Sequence, residues 1–118
     1  MNTTEVSMPQ PLIATEKATE AASIAIQLAM VVKTPLKSLA DQVIRSASSV
    51  PANLSEGHGR LGRDRAHFWR IAYASAKEVD VHLRLLVTAG AIDATRAGAV
   101  LRSFDEVRAM TWRLLHPR

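Results

Sequence analysis

The chain has 118 residues, 47% of them apolar and 4% aromatic, with four histidines, no cysteine and a formal net charge of +4. That length suits one domain with a sizeable core, and the composition is globular rather than disordered. Without cysteine there is no disulfide framework, no thiolate metal site and no cysteine nucleophile.

Residues 1–14 read as a mobile tail, because Met1 to Leu12 holds Asn, Thr, Ser, Gln and two prolines. No cationic patch precedes an apolar core there, so a secretory signal is not expected. A bundle follows over residues 15–118. Thr15 suits an N-cap and Glu16 the first turn of a helix over residues 15–33. Ala18, Ala21, Ala25, Leu28 and Val32 share one of its faces. Thr34-Pro35 marks the next boundary, since proline disfavours helical geometry before it and fits the first helical position.

The second helix covers about residues 35–56, with Leu36, Leu39, Val43, Ala47, Val50 and Leu54 facing inward. Pro51 removes the donor to the Ala47 carbonyl and predicts a bend, with Ser48 and Ser49 near enough to satisfy part of the loss. Gly57 and Gly59 are expected to end the helix in the left-handed conformation. The run Gly57-His58-Gly59-Arg60-Leu61-Gly62 matches the G-x-G-x-x-G dinucleotide fingerprint. That fingerprint works only between a strand and a helix of a βαβ unit, and no such unit is present, so the glycines read as stop and turn residues.

A third helix, over about residues 63–88, turns Phe68, Ser75, Val79 and Leu86 inward, with Trp69, Tyr73, Ala76 and Leu83 widening the face. Gly90 closes it, and Asp93 caps a fourth helix over residues 93–115. Ala97, Val100, Leu101, Phe104, Val107, Thr111 and Leu114 face inward there. Four such helices joined by short loops predict an all-α, antiparallel up-down-up-down four-helix bundle. The longest apolar run, residues 28–32, falls far short of a membrane span. No membrane partner is expected, and the cytoplasm is the expected compartment.

Residues 42–78 also carry a family resemblance. Gln42-Val43-Ile44-Arg45-Ser46, then Ser49 to Arg60, then Phe68, Ile71-Ala72, Ser75-Ala76 and Glu78 resemble the four-helix-bundle protein family known as 23S ribosomal RNA intervening-sequence proteins. The resemblance implies an antiparallel bundle assembling into a homo-oligomeric ring, with five subunits the implied number. It also implies distant kinship with the accessory variability determinant proteins of retroelements, which assist a reverse transcriptase and bind nucleic acid. For the intervening-sequence proteins themselves it implies no activity.

Three sets of residues are candidates for function. Arg45, Ser49, Asn53, Glu56 and Arg60 lie about a turn apart and, with Glu78, read as a structural polar network more than an anion site, because an unpartnered buried polar group is costly. In that network Asn53 bonds across helices, Glu56 pairs with Arg60, and Glu78 meets Arg45 or the corner backbone. Residues 1–57 hold four basic and five acidic residues, whereas residues 58–118 hold eleven and six, so the positive charge sits in the second half. There, Arg63, Arg65 and Arg70 are the candidate contacts to RNA or another nucleic acid. Trp69, Tyr73 and Trp112 are candidate oligomer contacts, because interfaces enrich aromatics.

The spacing of His58, His67, His82 and His116 fits no metal motif, no cofactor is expected, and no catalytic arrangement is local. The expected function is a non-enzymatic, self-associating scaffold whose cellular role the sequence does not name, with binding of RNA or another nucleic acid through the basic corner as a candidate addition. The alternatives are an enzyme with an intersubunit pocket lined by Arg45, Glu56 and His82, or an adaptor with a protein partner.

Overall fold

The computed structural model describes residues 8–118. They form α1 (Gln10–Met30), α2 (Lys37–His58), α3 (Gly62–Thr88) and α4 (Ala94–Leu115), with no strand among the described residues. Residues 1–7 of the expected tail lie outside the described residues.

Helix α1 begins at Gln10, five residues before the expected start. The Pro9 carbonyl accepts from the amides of Leu12 at 3.0 Å and Ile13 at 3.1 Å. Pro11 sits in the first turn, where a missing amide costs nothing. Thr15 is therefore not a cap. Its hydroxyl donates back to the Pro11 carbonyl at 2.8 Å from inside the helix. Burial supports the early start, for Ala14 is fully enclosed.

Helix α2 starts after Leu36 rather than at Pro35, and its N-terminus has no side-chain cap. It continues through Pro51 to His58. The serines do not serve the Ala47 carbonyl as expected, because Ser48 donates to Arg45 O and Ser49 pairs with Ser75. Gly59, at φ −82°, is not left-handed either. The left-handed glycines are Gly62, which opens α3, and Gly90. At Gly90 the amides of Gly90 and Ala91 donate to the carbonyls of Val87 and Leu86, both at 2.9 Å. This double closure needs φ above zero, supplied by Gly90 at 76°. Asp93 caps α4 by accepting from the Arg96 amide at 2.8 Å.

Each helix packs on its sequence neighbours, and α4 also packs on α1, so the four close a circuit around one core. Helix α1 contributes Ala14, Ala18, Ala21, Ala25 and Ala29 to that core, side chains small enough for α2 and α4 to approach closely. Val43, Val50 and Leu54 of α2, Val79, Leu83 and Leu86 of α3, and Val100, Phe104 and Val107 of α4 fill it. Burying each larger apolar side chain contributes about 1.5–3 kcal/mol. Between α2 and α3, Leu54 meets Trp69 and Ser49 meets Ser75, one index rising as the other falls. Lys17 of α1 reaches Glu106 of α4 at 2.8 Å, and that hydrogen bond and charge raise the Lys17 pKa.

Candidate nucleic-acid interface

The corner between α2 and α3 is built around Trp69. Its ring is buried, at 5% exposure, and its indole N–H donates to the Leu54 carbonyl at 3.2 Å. The ring lies so close to Gly57 that a β-carbon there would stand 2.5 Å from Trp69 Cδ1 and Nε1. Trp69 is thus a core residue of the single chain, which corrects its expected role as an oligomer contact. An indole has an apolar body and one polar atom, and the Leu54 carbonyl near the end of α2 satisfies that atom.

Arg65 is corrected as well. Its Nε donates to Gly57 O and its Nη2 to His58 O, both at 3.1 Å, and its guanidinium lies 5.3 Å from the Trp69 ring centre. The cation holds the last carbonyls of α2, where the helix dipole is negative, so its donors are committed within the fold. Arg60 is held by Glu56 at 2.8 Å and faces Asp64 at 3.6 Å, with its guanidinium over Phe68. Arg63 and Arg70 are exposed and have no carboxylate partner among the described residues.

The expected polar network is divided. Asn53 donates to Ser49 O at 2.8 Å and Ser49 Oγ at 2.9 Å on its own helix, and the crossing to α3 is the Ser49–Ser75 hydroxyl pair at 2.8 Å. Glu56 and Arg60 form a separate exposed pair. Arg45 and Glu78 are exposed and belong to neither group. Both are exposed on neighbouring helices and form no ion pair among the described residues, and between solvated charges the attraction is weak.

His58 Nδ1 and His82 Nδ1 are buried without a protein partner, yet no group of three or more ligand-type side chains among the described residues could hold a metal. None of four surface concavities is lined by Arg45, Glu56 or His82.

A different surface gathers cations and aromatics. Tyr73 of α3 and Asp105, Arg108, Ala109, Trp112 and Arg113 of α4 line an open groove of about 480 Å³. Trp112 is 49% exposed and stacks on His116 with ring centres 4.1 Å apart and planes at 27°. Lys77 lies 5.9 Å from the Tyr73 ring centre.

Along the outer side of α3, Arg63, Arg70, Lys77 and Arg84 recur every seven residues, and all four are exposed. Seven residues advance a helix by about 10.5 Å and rotate the position by about 20°, so the four form a gently slanting stripe. At its end Arg84 bonds Asp80 at 2.6 Å. That bond and the Asp80 charge raise the arginine's pKa, and Asp105 of α4 adds to it. Lys77, above the Tyr73 ring, sets the stripe beside the groove. The sequence reading missed Lys77, Arg84, Arg108 and Arg113. The seven-residue spacing of cations was the signal that would have found the first two.

Helix α1 presents the opposite surface. Residues 21–32 carry no charged side chain, and Ser23, Ile24, Gln27, Met30 and Val31 are exposed. Grooves lined mainly by uncharged residues flank this part of α1 on both sides, with Ile26 and Pro51 toward α2 and Ile24 and Val100 toward α4.

A family model described as 23S rRNA-intervening sequence protein matches residues 10–113. A crystal structure of a protein of unknown function from the S23 ribosomal protein family of Bacteroides thetaiotaomicron is similar in fold. Its TM-score is 0.82 at 21% identity, covering 91% of this chain and 98% of that one. No curated protein matches the chain in sequence.

Proposed function

Because the chain belongs to the 23S rRNA-intervening sequence protein family, we propose that it is a non-enzymatic scaffold: an up-down-up-down antiparallel bundle that self-associates in the cytoplasm. The observation that carries this reading is the exposed, charge-free face of α1 over residues 21–32. Interface cores are depleted in charge relative to other surface, and twelve successive residues without a charge are unusual on this otherwise charged molecule. A second copy of the chain is the proposed occupant. The ring of five is what the resemblance implies for its closure.

Light scattering tests this directly. The wild type is expected above its monomer mass of 12.9 kDa, and the exposed-site double substitution Ile24→Glu with Gln27→Glu is expected to return it to that mass with unchanged circular dichroism. A variant as large as the wild type would remove α1 from the interface. A wild type that stays monomeric as its concentration rises would end the self-association reading.

RNA binding is the second reading, and the exposed, unpaired Arg63 and Arg70 favour it. Titrating the wild type into labelled RNA at low salt tests it, and no binding there would end it.

A further inference from the structure

We propose that single-stranded RNA lies along α3, its phosphates on Arg63, Arg70 and Lys77, with one base stacked on Trp112 in the groove between α3 and α4. The proposal rests on the RNA reading above and extends the site from the corner along α3, because at the corner Arg60 is paired with Glu56 and Arg65 and Trp69 are bonded to the end of α2.

Charge complementarity selects the occupant. Arg63, Arg70, Lys77, Arg84, Arg108 and Arg113 border this surface. Two of the carboxylates beside it already hold cations: Asp80 bonds Arg84, and Asp105 bonds Arg108 at 2.7 Å, while Glu78, next to Lys77, is exposed. The remaining field is net positive and, over the two seven-residue steps from Arg63 to Lys77, extends for about 21 Å. That suits an extended polyanion better than a single small anion.

The aromatic component selects a single strand. Trp112 is already flattened against His116, so little ordering is needed before a base stacks on it, and Tyr73 stands in the same groove. Bases reach such platforms only when unstacked, as in single strands and loops, while duplex RNA keeps its bases inside. Arginine and exposed aromatics together provide both backbone and base contacts without reading sequence. Protein interfaces also enrich arginine and aromatics, so the groove alone does not choose between partners; the line of exposed cations on α3 is what favours a polyanion.

The test is fluorescence anisotropy of a labelled 12-nucleotide oligouridine against full-length protein between low and moderate salt, beside a duplex RNA of equal length. The wild type should prefer the single strand. Arg70→Gln with Lys77→Gln should lower the slope of log affinity against log salt by about 1.4, at about 0.7 per phosphate contact on a single strand. Trp112→Ala should weaken binding by about 5- to 150-fold with an unchanged slope, and Trp112→Phe should restore most of the loss. Arg45→Gln, on α2 and away from the groove, should bind as the wild type does. Circular dichroism establishes that each variant is folded.

A wild type that binds no RNA would end the RNA reading itself. RNA binding that survives Arg70→Gln/Lys77→Gln and Trp112→Ala unchanged would overturn this track alone. So would an equal or greater affinity for duplex. A fall in oligomer mass on Trp112→Ala would make the groove an interface between copies, and would overturn it too.

Discussion

Gly57 has no room for a side chain, and that makes it the most sensitive backbone position at the corner. A β-carbon would meet Trp69 at 2.5 Å and the Arg65 carbonyl oxygen at 3.1 Å. Overpacking of this kind costs about 1–3 kcal/mol, offset by up to about 1 kcal/mol because alanine favours a helix over glycine. Contacts as short as 2.5 Å put this site in the upper part of that range, so Gly57→Ala should lower stability by about 1–2 kcal/mol net in urea denaturation, with altered tryptophan emission. An unchanged midpoint would mean that the ring moves aside freely. Asn53 is a milder case, since it is half-buried and among the described residues bonds to Ser49 alone. Asn53→Ala should cost about 0.5–1.5 kcal/mol, and a loss above 3 kcal/mol would show a partner beyond Ser49. In the sequence Gly57 looks like a stop and Trp69 like a contact. Neither close approach nor burial is visible until the two helices are side by side.

At the level of the helices, Arg63 and Arg65 separate sharply although they stand two residues apart. Two positions along a helix differ by about 200° in direction, so one arginine faces solvent while the other reaches the end of α2. Arg65→Gln should cost about 1–2 kcal/mol, because its charged donors satisfy two terminal carbonyls. Arg63→Gln should stay within about 0.5 kcal/mol of the wild type. Equal losses in the two variants, measured by chemical denaturation, would contradict the clamp. The helix interiors were legible because buried positions recur at three and four residues. The start of α1 was not, since Pro9 and Pro11 look like loop residues until the first turn is seen to need no donor from them.

Across the whole molecule, the two exposed faces differ in kind. The α1 face is charge-free over residues 21–32, and the α3–α4 face carries the cationic stripe and the aromatic groove. If copies associate through α1, mass action must raise Tm with protein concentration. The wild type is expected to show that rise and Ile24→Glu with Gln27→Glu to lose it, as read by calorimetry over a hundredfold concentration range. A Tm independent of concentration in both proteins would sink the proposal. The fold class, the four helices and the excess of basic charge in residues 58–118 follow from the order of residues, because periodicity and composition are one-dimensional quantities. Which arginines remain free does not follow from that order. Arg65 finds its carbonyls seven and eight residues away only after the chain turns at Gly62, and Trp69 disappears into a space left by Gly57. Tyr73 and Trp112, nearly forty residues apart, meet in one groove only because α3 and α4 pack side by side. Side-chain direction sets each of these pairings, and direction exists only once the helices are assembled.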